Sequence, residues 1–575
     1  MTNRPQFPTR RQFVQAGAAT LGSAALPHWG QAVEIPAQYR KPKSAAFDYR
    51  TDVGNGAFDA VALDLHARFS FSILGMLPSQ AAPGAAGNVF VSRLKARNSN
   101  IKVGQYVILS QAVDESTGSE YAAIYGAVNA GGTDNKDWWA RAGEASPVSP
   151  GAKTKSVGVK GYAAWEVNQT EFVKPDALGR RAPEAIADAY HQILLANLYA
   201  VGLDVVFNDN VWGNPGSQSS TGSDGVNDFP KGTVANYDLD KAGTNDASSN
   251  ADLALGVSPA YRRGYKRFIA RLKALKPGIE CMANADFDST TPTFVSCLTT
   301  KELSKKYEYG LLEALTSKNY SIDTWRGNFA DTMACYRSQR AGVTKAVFVG
   351  AYLDTAVDPL TRTLQKARYG LGVSMLDDGY AVIGDTPAGA DVRPYWFDEL
   401  DAPIGDAIEP GPTAPWSNGM WRRNYRNGCI VVNPSCNNGR WMGNAPGTLT
   451  LTRSMNVVTL FWSDMPEHGK KPGSLIRIQD CTTDATFNGT FTIGAVDDAA
   501  KTISWSQAGE DRALNMPTGF WGVQTTVDLR GQGYRRLLGV DDAHDNYDGG
   551  TSQNDGSLVR RLTLWPNDAI LLLRR

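Results

Sequence analysis

The sequence is poor in histidine, with only five in 575 residues, and no two of them are close to one another. The spacing His-Glu-x-x-His, which would bind zinc from one helix face, is absent. The Gly-x-Ser-x-Gly turn that presents a serine nucleophile is absent as well, and a Ser-His-Asp triad has few candidate bases. These absences favour chemistry carried out by carboxylates, with no metal and no cofactor.

No charge of either sign is in excess, since 58 Lys and Arg residues balance 58 Asp and Glu residues. No basic stretch is interleaved with aromatic residues, so we expect no nucleic-acid partner. No run of about 18 apolar residues follows the N-terminal region, so we expect no membrane-spanning helix. Among six cysteines there is no Cys-x-x-Cys pair. Cys429 and Cys436 flank a predicted turn and could form a disulfide or remain two buried thiols.

The N-terminal segment carries an export pattern within residues 1–32. Arg10 and Arg11 precede Phe13, and a weakly apolar run rich in Ala and Gly then leads to the small residue Ala32. This order is similar to the twin-arginine signal, which directs folded proteins out of the cytoplasm. The alternative is a basic tail without regular structure. The pattern predicts a periplasmic or secreted protein.

Residues 60–410 alternate short apolar or β-branched runs with amphipathic helical stretches. Eight such runs with intervening helices predict a parallel (β/α)8 barrel, the TIM barrel. The predicted strands are RFSFSILGM, IKVGQYVIL, YAAWEVN, LDVVFND, IECMAN, YGLLEA, KAVFVGAY and YAVIGD. Helices are clearest at PEAIADAYHQILLANLYAVG, SPAYRRGYKRFIARLKALKPG and DPLTRTLQKARYGLGVSML, which begin at Pro or a capping residue.

Beyond residue 415 the pattern changes to short strands separated by turns. Residues 415–436 and 523–575 are predicted to form one C-terminal β-sandwich, which WRRNYRNGCIVVNPS enters and VRRLTLWPNDAILLLRR closes. Residues 437–522 have a separate pattern of short strands and turns, which predicts a small β module inserted into that sandwich. The predicted fold class is therefore an α/β barrel followed by a β-sandwich with an insertion.

Two acidic residues end predicted barrel strands, where barrels of this kind carry out chemistry. In VGLDVVFNDN, alternation places Val205, Phe207 and Asp209 on one face, so Asp209 ends an inward apolar row. Glu313 ends YGLLE, and the apolar run before it predicts a raised pKa, as a general acid requires. We therefore predict Asp209 as nucleophile and Glu313 as acid/base. The alternatives are a loop-anchoring Asp and a buried ion pair.

Other polar or aromatic residues at predicted strand ends are candidates for binding substrate. Glu166 is also a rival for the acid role, and each polar residue could equally support a loop. The two tryptophans are candidate platforms for sugar rings and could equally belong to a core. The full set is Trp165, Glu166, Asn168, Trp212, Asn284, Asp286, Tyr352 and Asp385.

Three sequence pieces occur in order along the chain: GLDVVFNDN, YGLLEAL, and the tail pair WRRNYRNGCIVVNP with LTLWPNDAILLLR. Together they resemble the predicted glycosyl hydrolases of hypothetical glycosyl hydrolase group fifteen and, more distantly, the endo-α-1,4-polygalactosaminidases. The resemblance covers about residues 60–435 and 524–575. It implies a (β/α)8 barrel followed by a β-sandwich and a glycoside hydrolase reaction, without specifying the sugar. Within the insertion, FNGTFTI resembles β modules of phage tail proteins.

The sequence as a whole predicts an exported glycoside hydrolase that uses two carboxylates and a retaining mechanism on a polysaccharide or oligosaccharide. Two alternatives stay open. One is a non-catalytic carbohydrate-binding or surface-interaction protein that keeps the barrel, because a fold does not determine a function. The other is a different barrel hydrolase, such as a deacetylase or a phosphodiesterase.

Overall fold

A computed structural model of the chain describes residues 40–48, 60–75, 86–113, 120–130, 138–141, 155–159, 162–211, 239, 257–285, 287–288, 295–313, 329–353, 355–356, 360–386, 392–434, 439–441, 447–463, 470–529, 531–539 and 554–575. Among these residues, no helix is long and apolar enough to cross a membrane. The predicted export segment, residues 1–32, lies outside the described residues.

Within the described residues, eight parallel strands form a closed barrel. Each strand pairs with its neighbours in chain order, and the last strand returns to the first through the pairs Ser44↔Ala381 and Ala45↔Val382. The strands are β1 (Ser44–Asp48), β2 (Phe71–Leu74), β3 (Lys102–Ile108), β4 (Val205–Val211), β5 (Glu280–Ala285), β6 (Tyr309–Leu312), β7 (Ala346–Leu353) and β8 (Tyr380–Asp385). This closure confirms the predicted (β/α)8 barrel.

Helices lie between successive barrel strands, except that between β5 and β6 the only helical structure in the described residues is the 3-10 turn Cys297–Thr299. Those in the described ranges are α1 (Ala60–His66), α2 (Ala86–Arg97), α3 (Glu120–Ala130), α4 (Ala182–Asn197), α5 (Val257–Leu275), α6 (Phe329–Gly342) and α7 (Leu360–Met375). The three clearest predicted helices correspond to α4, α5 and α7. Helix α4 begins where the sequence predicts, because Pro183 fits the first turn and Glu184 accepts a hydrogen bond from the Arg181 amide at 3.1 Å.

One of the predicted barrel strands is wrong. YAAWEVN contributes Tyr162–Glu166, which pairs in antiparallel fashion with Gln111–Val113 and Lys155–Val159 in a separate three-stranded side sheet. The missing barrel strand is β1, so the barrel begins at Ser44 and not at residue 60. The sequence SAAFD is buried along its whole length and consists mainly of small residues. It therefore shows neither alternation nor the apolar bulk that marks other strands.

The barrel interior is filled mainly by aromatic side chains at inward-facing positions. Edge-to-face contacts join Phe47, Phe71, Phe207 and Phe348. At the amino-terminal end of the strands, Glu280 accepts hydrogen bonds from Lys102 and from the Tyr309 hydroxyl. Because this end is occupied by an internally paired polar layer, a reactive site is expected at the carboxyl-terminal end.

Antiparallel strands follow the barrel and form a β-sandwich-like domain. One sheet has the strand order Trp421–Tyr425, Gly428–Asn433, Asp568–Arg574, Tyr534–Arg536 and Leu558–Val559. A second pair joins Thr525–Asp528 to Arg561–Leu564. Both contribute to one core, in which Val431 and Ile570 come from the first sheet and Leu562 from the second. This arrangement confirms the predicted β-sandwich after the barrel.

The sandwich packs closely against α7 of the barrel. A Cβ added at Gly372 would lie 2.5 Å from the Cβ of Ala569, so glycine is what permits this close approach. Nearby, the Arg368 guanidinium donates two hydrogen bonds to the Asp568 carboxylate, at 3.0 and 3.1 Å. Both side chains are almost completely buried. A bidentate ion pair therefore joins the barrel to the last strand of the chain.

The residues between the two halves of the sandwich form a sheet of their own. Its strands, in sheet order, are Gly439–Trp441, Phe520–Val523, Leu475–Gln479, Gly489–Asp497, Thr502–Ser506, Val457–Trp462, Leu449–Ser454 and Arg512–Asn515. Its core is drawn from residues 449–523 alone. The outermost segments pair at Gly439↔Gly522, so the chain leaves and returns at neighbouring points. Folding of residues 437–522 as an independent module stays a prediction.

Candidate active site

Five consecutive barrel strands each contribute one inward-facing side chain near the carboxyl-terminal end. These are Tyr106 on β3, Asp209 on β4, Asn284 on β5, Glu313 directly after β6 and Tyr352 on β7. In each strand the inward position follows from alternation with the interior residues that precede it, such as Phe207 before Asp209 and Leu311 before Glu313. The two predicted catalytic carboxylates are thus placed at the same end of the barrel.

A local irregularity in β4 accompanies the placement of Asp209. The register of β4 against β5 shifts between Asn208 and Val211, which is the signature of a β-bulge. Inside this bulge Asn210 has a φ of 55°, in the left-handed region. Its carbonyl accepts a hydrogen bond from the buried Tyr265 hydroxyl of α5 at 2.6 Å. Helix α5 therefore helps to hold the segment that carries Asp209.

The five side chains form a continuous chain of hydrogen bonds across the barrel mouth. The Tyr106 hydroxyl donates to Asp209 Oδ2 at 2.6 Å. The Asn284 amide nitrogen donates both to Asp209 Oδ1 at 2.8 Å and to Glu313 Oε2 at 2.6 Å. The Tyr352 hydroxyl donates to Glu313 Oε1 at 3.1 Å. One amide group therefore bridges the two carboxylates. The other oxygen of each carboxylate accepts a hydrogen bond from a tyrosine hydroxyl.

The surroundings of the two carboxylates raise the pKa of both groups. Although the Glu313 side chain reaches the exposed mouth, neighbouring protein removes much of its water. This desolvation and the nearby negative charge of Asp209 raise the pKa of Glu313 to about 7. Desolvation also raises the pKa of Asp209, while hydrogen bonds from Tyr106 and Asn284 act in the opposite direction. Glu313 therefore keeps its proton up to about neutral pH, and the negative charge of Asp209 is one of the causes.

Three predicted substrate-binding residues lie in or directly after the side sheet instead of in a barrel strand. Trp165 is half-buried and packs against the hydrophobic core outside the barrel, which favours the core alternative over a platform for sugar rings. Asn168 is completely buried and donates to the Leu239 carbonyl at 2.9 Å, so it anchors a loop. Glu166 is buried, 4% exposed. Tyr106, Asn284 and Tyr352 are the described hydrogen-bond partners of Asp209 and Glu313. Because Glu166 is not among them, the structure does not support Glu166 as the acid.

Asp385 ends β8 but its carboxylate is engaged by neighbouring backbone and side chains. It accepts hydrogen bonds from the Thr355 amide at 3.0 Å, from the Thr355 hydroxyl at 2.8 Å and from the Arg393 guanidinium. Only 3% of Asp385 is exposed. It therefore supports the segment after β7, which was the alternative to substrate binding. Trp212 and Asp286 lie outside the described residues.

Tyr106 belongs to the site and was not predicted. Its strand, KVGQYVI, was recognised, and the pairing Tyr106↔Phe207 places it beside the interior row of β4. A tyrosine within an apolar strand is usually interpreted as part of a core. The feature that indicates a role in the site is a hydroxyl group at an inward position only two residues before the end of β3.

A second polar cluster of the barrel has the composition of a hydrolytic triad. His66 lies 2.8 Å from the Ser72 hydroxyl and 3.0 Å from Asp48 Oδ2. None of the three side chains has any exposed surface, so a substrate has no access to Ser72. The cluster therefore ties α1 to β1 and β2.

Among the described residues, no group of three or more His, Cys, Asp or Glu side chains is arranged to hold a metal ion.

The fold and the site together define a (β/α)8 barrel with a bridged pair of carboxylates at the carboxyl-terminal ends of its strands. No protein-family model matches the sequence, and no curated protein matches it.

Among solved structures, the chain is similar to a variant of the glycoside hydrolase domain of PelA from Pseudomonas aeruginosa, with 13% identity, coverage of 63% of this chain and 97% of that one, and a TM-score of 0.29. It is also similar to alpha-amylase from Geobacillus thermoleovorans, with 10% identity, 85% and 99% coverage, and a TM-score of 0.33. For a sulfoquinovosidase of family GH31 from E. rectale the values are 12% identity, 82% and 62% coverage, and a TM-score of 0.36. These similarities are too remote to assign a function.

Proposed function

We propose that this protein is a glycoside hydrolase that cleaves a polysaccharide or oligosaccharide with Asp209 and Glu313. The observation that carries the proposal is the bridged pair itself: two carboxylates share one amide donor, and Glu313 has a pKa of about 7. Hydrolysis of a glycosidic bond needs one ionised carboxylate and one protonated carboxyl group at the same pH. This pair meets that requirement between the two ionisation steps.

In the proposed reaction, the Glu313 carboxyl group donates its proton to the glycosidic oxygen as the bond to the leaving sugar breaks. The ionised Asp209 attacks the anomeric carbon and forms a covalent glycosyl ester. Glu313, now a carboxylate, takes a proton from a water molecule, and that water attacks the same carbon. The ester bond to Asp209 breaks, and both carboxyl groups return to their starting states.

The short bridge between the carboxylates supports retention of anomeric configuration. Because one amide nitrogen lies 2.8 Å from an oxygen of Asp209 and 2.6 Å from an oxygen of Glu313, these two oxygens are no more than about 5.4 Å apart. Retaining enzymes have carboxyl groups about 5–5.5 Å apart, whereas inverting enzymes need roughly 6.5–9.5 Å to admit water. We therefore propose Asp209 as a nucleophile and not as a base.

The direct test is an assay for new reducing ends with a panel of neutral, acidic and amino-sugar polysaccharides. We expect turnover of at least one polymer by the wild-type protein and none by the double variant Asp209→Asn, Glu313→Gln. Binding of a polymer without any turnover would support the non-catalytic carbohydrate-binding alternative. Hydrolysis of acetyl or phosphate esters by the wild type, without new reducing ends, would support the other barrel hydrolases.

The pH dependence of kcat/KM follows from the same two groups. Above about pH 7 the Glu313 proton is lost, so the rate of the acid-catalysed step should fall as pH rises through that pKa. At low pH Asp209 becomes protonated and the rate should fall again. We expect a bell-shaped profile of kcat/KM whose alkaline limb lies near pH 7. A rate that keeps rising through pH 8 would exclude Glu313 as the acid.

We also propose that the N-terminal segment exports the protein, on the basis of Arg10, Arg11 and the apolar run that follows them. Changing both arginines to lysine should hold the precursor in the cytoplasm, because the twin-arginine pathway reads the pair itself. Cell fractionation measures this, with Arg4→Lys as a control of equal charge that should be exported normally. Normal export of the Arg10→Lys, Arg11→Lys variant would exclude this signal.

We further propose kinship with hypothetical glycosyl hydrolase group fifteen and, more distantly, with the endo-α-1,4-polygalactosaminidases. Two of the three sequence pieces behind this resemblance contain Asp209 and Glu313, and the third belongs to the β-sandwich. The similarity of the insertion to phage-tail β modules rests on FNGTFTI, which overlaps the strand Gly489–Asp497. These relationships support a glycan as the substrate class and leave the sugar open.

A further inference from the structure

Asn284 occupies the central strand of the active site. It lies on β5, between the strand that carries Asp209 and the strand that precedes Glu313. Its backbone position is fixed by the parallel pairing Leu311↔Asn284. From this position its amide nitrogen reaches an oxygen of each carboxylate, at 2.8 and 2.6 Å.

The orientation of this amide follows from the chemistry of its partners. The ionised carboxylate of Asp209 only accepts hydrogen bonds, so the nitrogen side of Asn284 must face it. The Glu313 carboxyl group can accept the second hydrogen bond whether or not it is protonated. The nitrogen carries two hydrogens, and there are two carboxylates to receive them. Both hydrogens are therefore used within the site before any sugar is bound.

We propose that Asn284 is a positioning residue that holds Asp209 and Glu313 at a fixed separation by donating one hydrogen to each, and that it acts through the carboxylates instead of on the sugar. This replaces the sequence-based prediction of Asn284 as a substrate-binding residue, and it rests on the proposed function. One neutral side chain thus sets the spacing on which the retaining reaction depends.

Asparagine suits this task better than other residues of similar size. Serine has one hydrogen to donate, and aspartate has none at neutral pH and would repel both carboxylates. Lysine or arginine would supply donors, but a positive charge would lower the pKa of Glu313 and remove the proton that the acid must deliver. A neutral group with two donors fixes the pair and leaves Glu313 protonated.

Two substitutions separate donation of hydrogen bonds from simple filling of space. Asn284→Ala removes the donors and leaves a void, while Asn284→Asp keeps the shape and replaces the donors with a third carboxylate. If Asn284 acts through its donors, the Asp variant should be at least as impaired as the Ala variant. If it acts through its shape, the Asp variant should retain most of the activity.

The first readout is the ionisation of Glu313, which does not depend on having a substrate. The hydrogen bond from Asn284 lowers the pKa of Glu313, so its loss should move that pKa upward in Asn284→Ala and further upward in Asn284→Asp. Carboxyl ¹³C NMR over a pH series measures the shift, with the Glu313 signal assigned by its absence from Glu313→Gln. Asn208→Ala is the matched control, because Asn208 is a buried amide next to Asp209 that donates to Tyr307 at 3.1 Å.

The second readout is kinetic. Loss of a hydrogen bond to a charged group should lower kcat about tenfold or more in both Asn284 variants, with KM within a few-fold of the wild-type value. A raised KM with unchanged kcat would show that Asn284 binds substrate and would overturn the proposal. An unchanged Glu313 titration in both variants would overturn it as well, even if the wild-type protein hydrolyses glycans. If no glycan is hydrolysed, the titration still decides whether Asn284 controls the pair.

Discussion

Asp209→Asn and Glu313→Gln should each lower turnover of a glycan substrate at least about a hundredfold while leaving the fold intact. Each substitution keeps the size and shape of the side chain and removes only the ability to ionise. Without a carboxylate at position 209 the covalent ester cannot form. Without an acid at position 313 the leaving sugar departs without a proton.

Two acidic residues at the opposite ends of the same strands provide matched controls. Asp204 directly precedes β4 and accepts a hydrogen bond from Lys95 at 2.6 Å. Glu308 directly precedes β6 and accepts one from Lys273 at 2.8 Å. Asp204→Asn and Glu308→Gln remove a carboxylate from the same strands without touching the site, so turnover should stay within a few-fold of wild type. Near wild-type turnover in Asp209→Asn or Glu313→Gln would remove that residue from the mechanism.

Asp568→Ala should destabilise the protein by about 3–5 kcal/mol. The substitution removes the carboxylate that accepts two hydrogen bonds from the Arg368 guanidinium, and only 3% of Arg368 is exposed. It also removes the acceptor that the Ala569 amide uses at 2.8 Å. Because this ion pair joins α7 to the last strand of the sandwich, the loss should appear in the transition that includes the barrel.

Chemical denaturation followed by tryptophan fluorescence measures this loss, since tryptophans lie in the cores of both parts. The comparison variant is Asp64→Ala, which breaks the ion pair of Asp64 with Arg97 at 2.7 Å. The side chains of Asp64 and Arg97 are 70% and 37% exposed. Exposed pairs of this kind contribute little, so the control should remain close to wild type. Equal effects of the two substitutions would show that the Arg368–Asp568 pair does not stabilise the junction.

The barrel could be predicted from the sequence because most of its strands are apolar runs followed by well-marked helices. The exceptions have physical reasons. Strand β1 is short and made mainly of small residues, and it is held by closure of the sheet between β2 and β8, a contact distant in sequence. Tyr162–Glu166 is a true strand, but its partners are decided by tertiary pairing, which a local pattern does not reveal.

The candidate site could be predicted to the extent that alternation determines which side chains face inward. That rule placed Asp209 on the same face as Val205 and Phe207, and the interior core contains both of these residues. It did not reveal the bridging by Asn284 or the part played by Tyr106, because hydrogen-bond partners on different strands depend on register. Asp385 also lies at the end of a barrel strand, but its carboxylate accepts hydrogen bonds from Thr355 and Arg393.

The most direct test of the central claim is proton NMR of a glycan during its hydrolysis, with the wild-type protein and with Glu313→Gln. For the wild type we predict new anomeric signals at the reducing end, and the first product should have the same configuration as the bond that was cleaved. For Glu313→Gln the signals should be at least about a hundredfold slower to develop. A first product of inverted configuration, or equal rates for the two proteins, would contradict the assignment of Asp209 as nucleophile and Glu313 as acid/base.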